Sequence, residues 1–281
     1  MNASASACPV EADDRLKGGG TMHQRRKWST LFYLIPVVIL VTVLVFSLGT
    51  ALRIYLPQRQ DQNTFERLRK ELPTEAEEDE EVSTTFVNRY ESVMQKNGDF
   101  ACWLKIPDTA IDYPVMKTSE DDPEYYLRRG FDKKYSFAGT LFIGGGCNLD
   151  SDSFIIYGHN MDTDTMFGEL DRYIDPDYAV LHRLIKIGTP TDNRRYRVFA
   201  AFQTKVYGVN DNVFKYYDRI GELDEATYLD TVEHIRNMSI YDLSDAPKFP
   251  AQLLFLSTCS YHTKDGRFVV AAYRVDNDGK H

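Results

Sequence analysis

Twenty-two consecutive residues without a charge, Leu31 to Leu52, constrain this chain more than any other feature. The run reads LFYLIPVVILVTVLVFSLGTAL. As a helix rising about 1.5 Å per residue it is roughly 33 Å long, enough to cross a hydrocarbon core of about 30 Å. Pro36 lies near its start, where a spanning helix tolerates it. Gly49, Thr50 and Ala51 offer the small residues of a cleaved leader. The run nevertheless far exceeds the roughly 7–15 apolar residues of a signal core. The expectation is an uncleaved, single-pass anchor over 31–52, in contact with membrane lipid. Arg25, Arg26 and Lys27 stand just before it, which argues for a cytoplasmic tail over 1–30 and an extracellular remainder. Arg53 and Arg59 follow, so the charge asymmetry is modest.

Charge is as unevenly spread as hydropathy. The chain has 33 Lys plus Arg against 42 Asp plus Glu, a net charge of −9. Seven of those acids, and no base, fall between Glu71 and Glu81; the remaining 35 nearly balance the 33 bases. Such a stretch is expected to be a spacer held extended by self-repulsion, within an acidic extracellular linker over 53–82. Within it, Phe65, Leu68 and Leu72 form an apolar stripe of helical spacing. The acidic balance argues against nucleic acid as a partner. Four cysteines in 281 residues are too few for a disulfide-built scaffold.

Beyond the linker, a domain over 83–276 is followed by a short tail, 277–281. Phe86, Tyr90, Val93 and Met94 predict a helix from Ser83 to Asn97, with Gly98 as its stop. Short β segments then dominate: Cys102–Ile106, Ile111–Val115, Gly139–Ile143, Phe154–Gly158, Leu184–Gly188, Tyr196–Gln203, Gln252–Thr258 and Phe268–Val275. One helix interrupts the last pairs, with Tyr228, Val232 and Ile235 on one face and Asp224 as N-cap. The fold class is mainly β with added helices. Eight short strands suggest a closed or nearly closed barrel, which removes exposed edges. A sandwich fits the pattern almost as well.

Among the cysteines, Cys102 lies in an apolar strand and Cys147 follows three glycines. Cys259 differs: it ends the run Leu253 to Thr258, ahead of a polar loop, Arg267 and the apolar strand Phe268 to Ala272. The pattern reads as an antiparallel hairpin, placing Cys259 at the end of one strand and Arg267 at the start of the next. Cross-strand partners lie about 4.5–5.5 Å apart, so thiol and guanidinium can face one cleft. A cation favours the thiolate, and an arginine can hold an oxyanion. A nucleophilic cysteine also needs a proton carrier. His234 falls on a polar helix face, His281 is terminal, His182 has no special context, and His262 sits on the hairpin loop. His159 follows the strand Phe154 to Tyr157 and a turn glycine, which presents its ring at a strand end.

No cofactor or metal is expected. Asp162-Thr163-Asp164 lacks the glycine and glutamate of a Ca²⁺ loop, Gly144-Gly145-Gly146 lacks a phosphate loop's lysine, and no Cys/His spacing suits zinc.

Several separated motifs, in order, resemble class B sortases. Tyr157-Gly158-His159-Asn160-Met161, followed by Thr165-Met166-Phe167-Gly168-Glu169-Leu170, is similar to their histidine region. Leu256-Ser257-Thr258-Cys259 with Gly266-Arg267 resembles their nucleophile motif and its arginine. Trp103-Leu104-Lys105-Ile106-Pro107, Ile111-Asp112-Tyr113-Pro114-Val115, Tyr125-Tyr126-Leu127 and Gly139-Thr140-Leu141-Phe142 are similar to the early strands. The resemblance implies an eight-stranded sortase-type β-barrel preceded by N-terminal helices and one transmembrane helix. It further implies a Gram-positive cysteine transpeptidase with Cys259 as nucleophile, His159 as general acid and base, and Arg267 as oxyanion stabiliser. Ser257, Thr258, Tyr157 and Asn160 become candidate substrate contacts. The implied partners are secreted surface proteins bearing a C-terminal sorting signal, with a cell-wall precursor or pilin lysine amine as acceptor. A hydrolytic cysteine peptidase and a non-catalytic membrane-tethered module are the competing readings.

Overall fold

A computed structural model describes residues 22–72, 89–244, 246–260 and 263–275. Its strands are β1 (Phe100–Lys105), β2 (Asp112–Met116), β3 (Leu141–Ile143), β4 (Ser153–Tyr157), β5 (Leu184–Gly188), β6 (Asn193–Lys205), β7 (Leu253–Cys259) and β8 (Gly266–Val275). They join in the order β1-β2-β3-β4-β7-β8-β6-β5 and close into a barrel. That decides between barrel and sandwich, and the expected strands all appear, with small shifts at their ends. The helices are α1 (Met22–Glu71), α2 (Glu91–Lys96), α3 (Pro176–Leu181) and α4 (Glu225–Met238). Short 3-10 segments lie at Tyr125–Arg128, Gly168–Ile174 and Tyr216–Asp218.

The chain divides into two compact units, one ending at Ile54 and the other beginning at Tyr55. In the first, the residues from Tyr33 to Arg53 are exposed, and the helix is long and apolar enough to cross a membrane.

In the second unit the helical spacing of Phe65, Leu68 and Leu72 shows as a helix. Residues 55–71 are helical, and Phe65 and Leu68 are buried. The ring of Phe65 meets Tyr113 edge-on at 5.4 Å, and Arg69 pairs with Asp112 at 2.9 Å. The Phe65–Leu68–Leu72 stripe is the physical reason. Each fully buried side chain of this kind contributes about 1.5–3 kcal/mol, more than repulsion among dispersed charges opposes. The acids from Glu75 to Glu81 lie outside the described residues, as do both tails, 1–21 and 276–281.

The helix expected over 83–97 is also shorter where it is described. After Arg89 and Tyr90, α2 runs from Glu91 to Lys96, while 83–88 lie outside the described residues. It stops at Asn97, before Gly98, because Asn97 is extended and its side-chain amide donates to the Tyr126 hydroxyl and the Phe131 carbonyl. The α4 expectation holds: Asp224 accepts from the Thr227 N–H at 2.7 Å, and Tyr228, Val232 and Ile235 are buried.

Strand alternation sends side chains into two cores. Phe154, Ile156, Leu254, Leu256, Phe268 and Val270 belong to one cluster inside the barrel. Ile155, Phe255, Val269 and Ala271 point outward, into a second cluster with Tyr216 and the buried face of α4.

Candidate active site

The outward face carries the chemistry. Strands β4 and β7 run parallel with Tyr157 opposite Ser257, while β7 and β8 run antiparallel with Cys259 opposite Arg267. Alternation from Phe255 and Val269 therefore puts Cys259 and Arg267 on the outer face together. The hairpin register expected from sequence is the one observed. His159 lies two residues past Tyr157, at the same end of the sheet as Cys259. All three side chains are half-buried.

Local sequence explains how β4 ends there. A Cβ on Gly158 would collide with Leu141 and lie 2.7 Å from the Phe167 ring, so glycine is required at this exit. The Gly158 N–H donates to the Ser257 carbonyl at 3.2 Å, and the Thr258 hydroxyl donates to the Gly158 carbonyl at 2.9 Å.

His159 Nε2 lies 2.7 Å from the Leu127 carbonyl oxygen. A carbonyl only accepts, so Nε2 carries the proton and Nδ1 is the nitrogen left for chemistry. Burial holds the imidazole below its ordinary value; the Leu127 hydrogen bond opposes that shift and the Arg128 charge adds to it. The ring is thus neutral near pH 7. Arg267 places one guanidinium N–H on the Gly266 carbonyl at 2.9 Å.

The candidate substrate contacts separate. Ser257 is fully buried and its hydroxyl is 2.8 Å from that of Tyr216. Thr258 is also buried, engaged with Gly158. Both side chains are engaged within the fold. Tyr157 stays half-buried against Phe142, its phenol pushed up by burial while the Arg267 charge pulls it down. Asn160 is half-buried, and its Nδ2 donates to Asp171 at 2.7 Å and to the Cys259 carbonyl at 2.9 Å.

The structure also adds a residue that sequence reasoning missed. Tyr216 has its hydroxyl pushed up to about 12 by burial, with the Ser257 hydrogen bond and the Arg267 charge opposing. It sits in a long β6–β7 connection, where no local pattern marks it.

The other thiols and imidazoles fall elsewhere. Cys102 is fully buried and burial pushes its thiol far up, leaving an inert core residue. Cys147 is half-buried beside the Gly144 carbonyl, and both are free thiols, as is Cys259. His182 is buried against the Pro107 carbonyl, and His234 stacks on Phe214 at 4.7 Å. His262 and His281 lie outside the described residues.

A closed eight-stranded barrel with a cysteine and an arginine paired on its last hairpin agrees with comparison to known proteins. The Sortase domain family model matches residues 104–275, more than half of the chain. The chain belongs to the sortase family. Sortase B of Listeria monocytogenes is 29% identical to this sortase over 201 residues, covering 68% of this chain and 77% of that one. A Staphylococcus aureus sortase B–substrate complex superimposes with a TM-score of 0.67 at 21% identity, covering 79% of this chain and 100% of the other. A sortase B complexed with triglycine gives a TM-score of 0.65 at 22% identity, covering 78% and 99%. These relatives place the chain in class B, and like them it is a cysteine transpeptidase.

Proposed function

We propose that this sortase is anchored in the membrane by residues 31–52, N-terminus inside. Outside the cell it cleaves secreted proteins after the threonine of a C-terminal sorting motif and joins them to a cell-wall or pilin amine. The supporting observation is the register that sets Cys259 opposite Arg267, with His159 at the adjoining strand end.

The neutral His159 accepts the Cys259 thiol proton at Nδ1, and the sulfur attacks the threonine carbonyl carbon. The carbonyl oxygen becomes an oxyanion facing the Arg267 guanidinium, which stabilises it. As the C–N bond breaks, Nδ1 returns its proton to the leaving amine, and a thioester remains. An acceptor amine then attacks that thioester and gives its proton to Nδ1, and the Cys259 thiolate leaves and is reprotonated. Water in place of the amine gives hydrolysis. The triglycine complex of a structural neighbour makes an oligoglycine amine the first acceptor to try.

The test incubates the full chain, in detergent micelles, with peptides varied around Pro-x-Thr and an oligoglycine amine, with products read by mass spectrometry. Ligated peptide supports transpeptidation, and cleavage alone supports a peptidase. A lack of turnover for every threonine-containing motif refutes the proposal. A Cys259→Ala chain that retains its function supports a binding module.

A further inference from the structure

We propose that Asn160, held by Asp171, is a positioning residue that sets the distance between His159 and Cys259; the inference rests on the sortase reading above. Strands β4 and β7 are joined as a parallel ladder up to Tyr157 and Ser257, and the Gly158 N–H adds one more rung on the Ser257 carbonyl. In a parallel ladder the next rung would run from the Asn160 backbone N–H to the Cys259 carbonyl. The chain has already turned away there. Asn160 bridges to Met166, and the Phe167 N–H donates to the His159 carbonyl.

The Asn160 side chain supplies the missing rung. Its Nδ2 donates to the Cys259 carbonyl at 2.9 Å and to Asp171 at 2.7 Å. Both partners are acceptors, and the NH₂ group has one hydrogen for each, which fixes the orientation of the amide. The carboxylate of Asp171, on the Gly168–Ile174 segment, makes one of these bonds charge-assisted. His159 is therefore bracketed on both sides. Gly158 ties the preceding residue to Ser257 and Thr258, and Asn160 ties the following residue to the nucleophile's own carbonyl. Together with the Leu127 carbonyl on Nε2, this leaves the imidazole little freedom relative to the thiol.

Positional error of about 1 Å costs on the order of 100-fold in rate. In the full-length chain in micelles, Asn160→Ala should lower kcat for ligation of a sorting peptide to oligoglycine by about 10- to 100-fold. KM should stay within about twofold, because a reactive geometry is lost rather than a binding contact. Asn160→Asp, which keeps the shape but loses both donors beside Asp171, should fall at least as far, and Asn160→Gln should recover part of the rate. Adding Asp171→Ala to Asn160→Ala should cost little more. A kcat within about twofold of wild type would overturn the proposal, as would a loss that only tracks the fraction of folded protein. The ¹⁵N shifts of the His159 imidazole need no turnover. If the wild type ligates nothing, the sortase reading fails, while shifts unchanged by Asn160→Ala would sink the positioning role on their own.

Discussion

Replacing Ser257 by alanine removes one partner from a fully buried hydrogen bond. The Ser257 and Tyr216 hydroxyls are 2.8 Å apart, and their residues are 0% and 2% exposed. Ser257→Ala leaves the Tyr216 hydroxyl in an apolar cluster with Phe202 and Phe255, whose rings stand edge-on to its own at 5.8 and 6.1 Å. A buried hydroxyl stranded in this way costs about 1–3 kcal/mol. For a folded unit of this size each kcal/mol moves Tm by about 2–4 °C, so the expected fall is roughly 2–12 °C. Tyr216→Phe removes the stranded group, so Ser257→Ala/Tyr216→Phe should regain most of the loss, since both polar partners are then absent. Thermal unfolding of the four proteins followed by circular dichroism completes the double-mutant cycle. A double variant no more stable than Ser257→Ala would show that the pair does not carry the stability assigned to it. Because Cys259 is two residues along the same face, acylation should weaken in Ser257→Ala and recover with Tm in the double variant.

Three further outcomes are expected. Arg267→Lys should reduce transpeptidation by about 10²–10³-fold with little change in Tm, because a point ammonium does not reproduce a planar fork; a near-normal rate would remove Arg267 from the oxyanion role. His159 is held below the ordinary imidazole value of 6.5, chiefly by burial. On acidification the unfolded chain therefore binds the proton before the native one, and stability present above about pH 6.5 is lost as pH falls. The Tm difference between wild type and His159→Gln should accordingly decrease between about pH 7.5 and about pH 5.5, and an increase would contradict a neutral native ring. His262→Ala should ligate peptide at nearly the wild-type rate, whereas a loss as large as that of His159→Ala would mean the proton carrier was misassigned.

The hairpin of Cys259 and Arg267 was legible because its two strands are close in sequence and their apolar runs define one register. The parallel pairing of β4 with β7 was not, since Tyr157 and Ser257 are 100 residues apart and no local pattern marks parallel partners. His159 was reached through its strand-end context and the family resemblance; its neighbour Cys259 is fixed by topology. Ser257 and Thr258 were picked out because they border Cys259; their burial was not legible, because it depends on Tyr216, which lies 41 residues away and supplies the partner of Ser257. The helix end at Glu71 was obscured by the charges around it, though the Phe65 stripe already pointed to burial.

Strand order also fixes when the enzyme can come into being. Strands β7 and β8 are the last two synthesised, yet they occupy the gap between β4 and β6. A chain made only as far as β6 is an open sheet, with β4 and β6 as its two bare edges, both prone to pairing with other chains. It holds His159 at one of those edges and neither Cys259 nor Arg267. The final hairpin seals both edges and delivers the nucleophile and its cation in one step. The catalytic thiol is therefore missing from a half-made barrel, and a lesion that keeps the hairpin from docking removes activity and exposes sticky edges together.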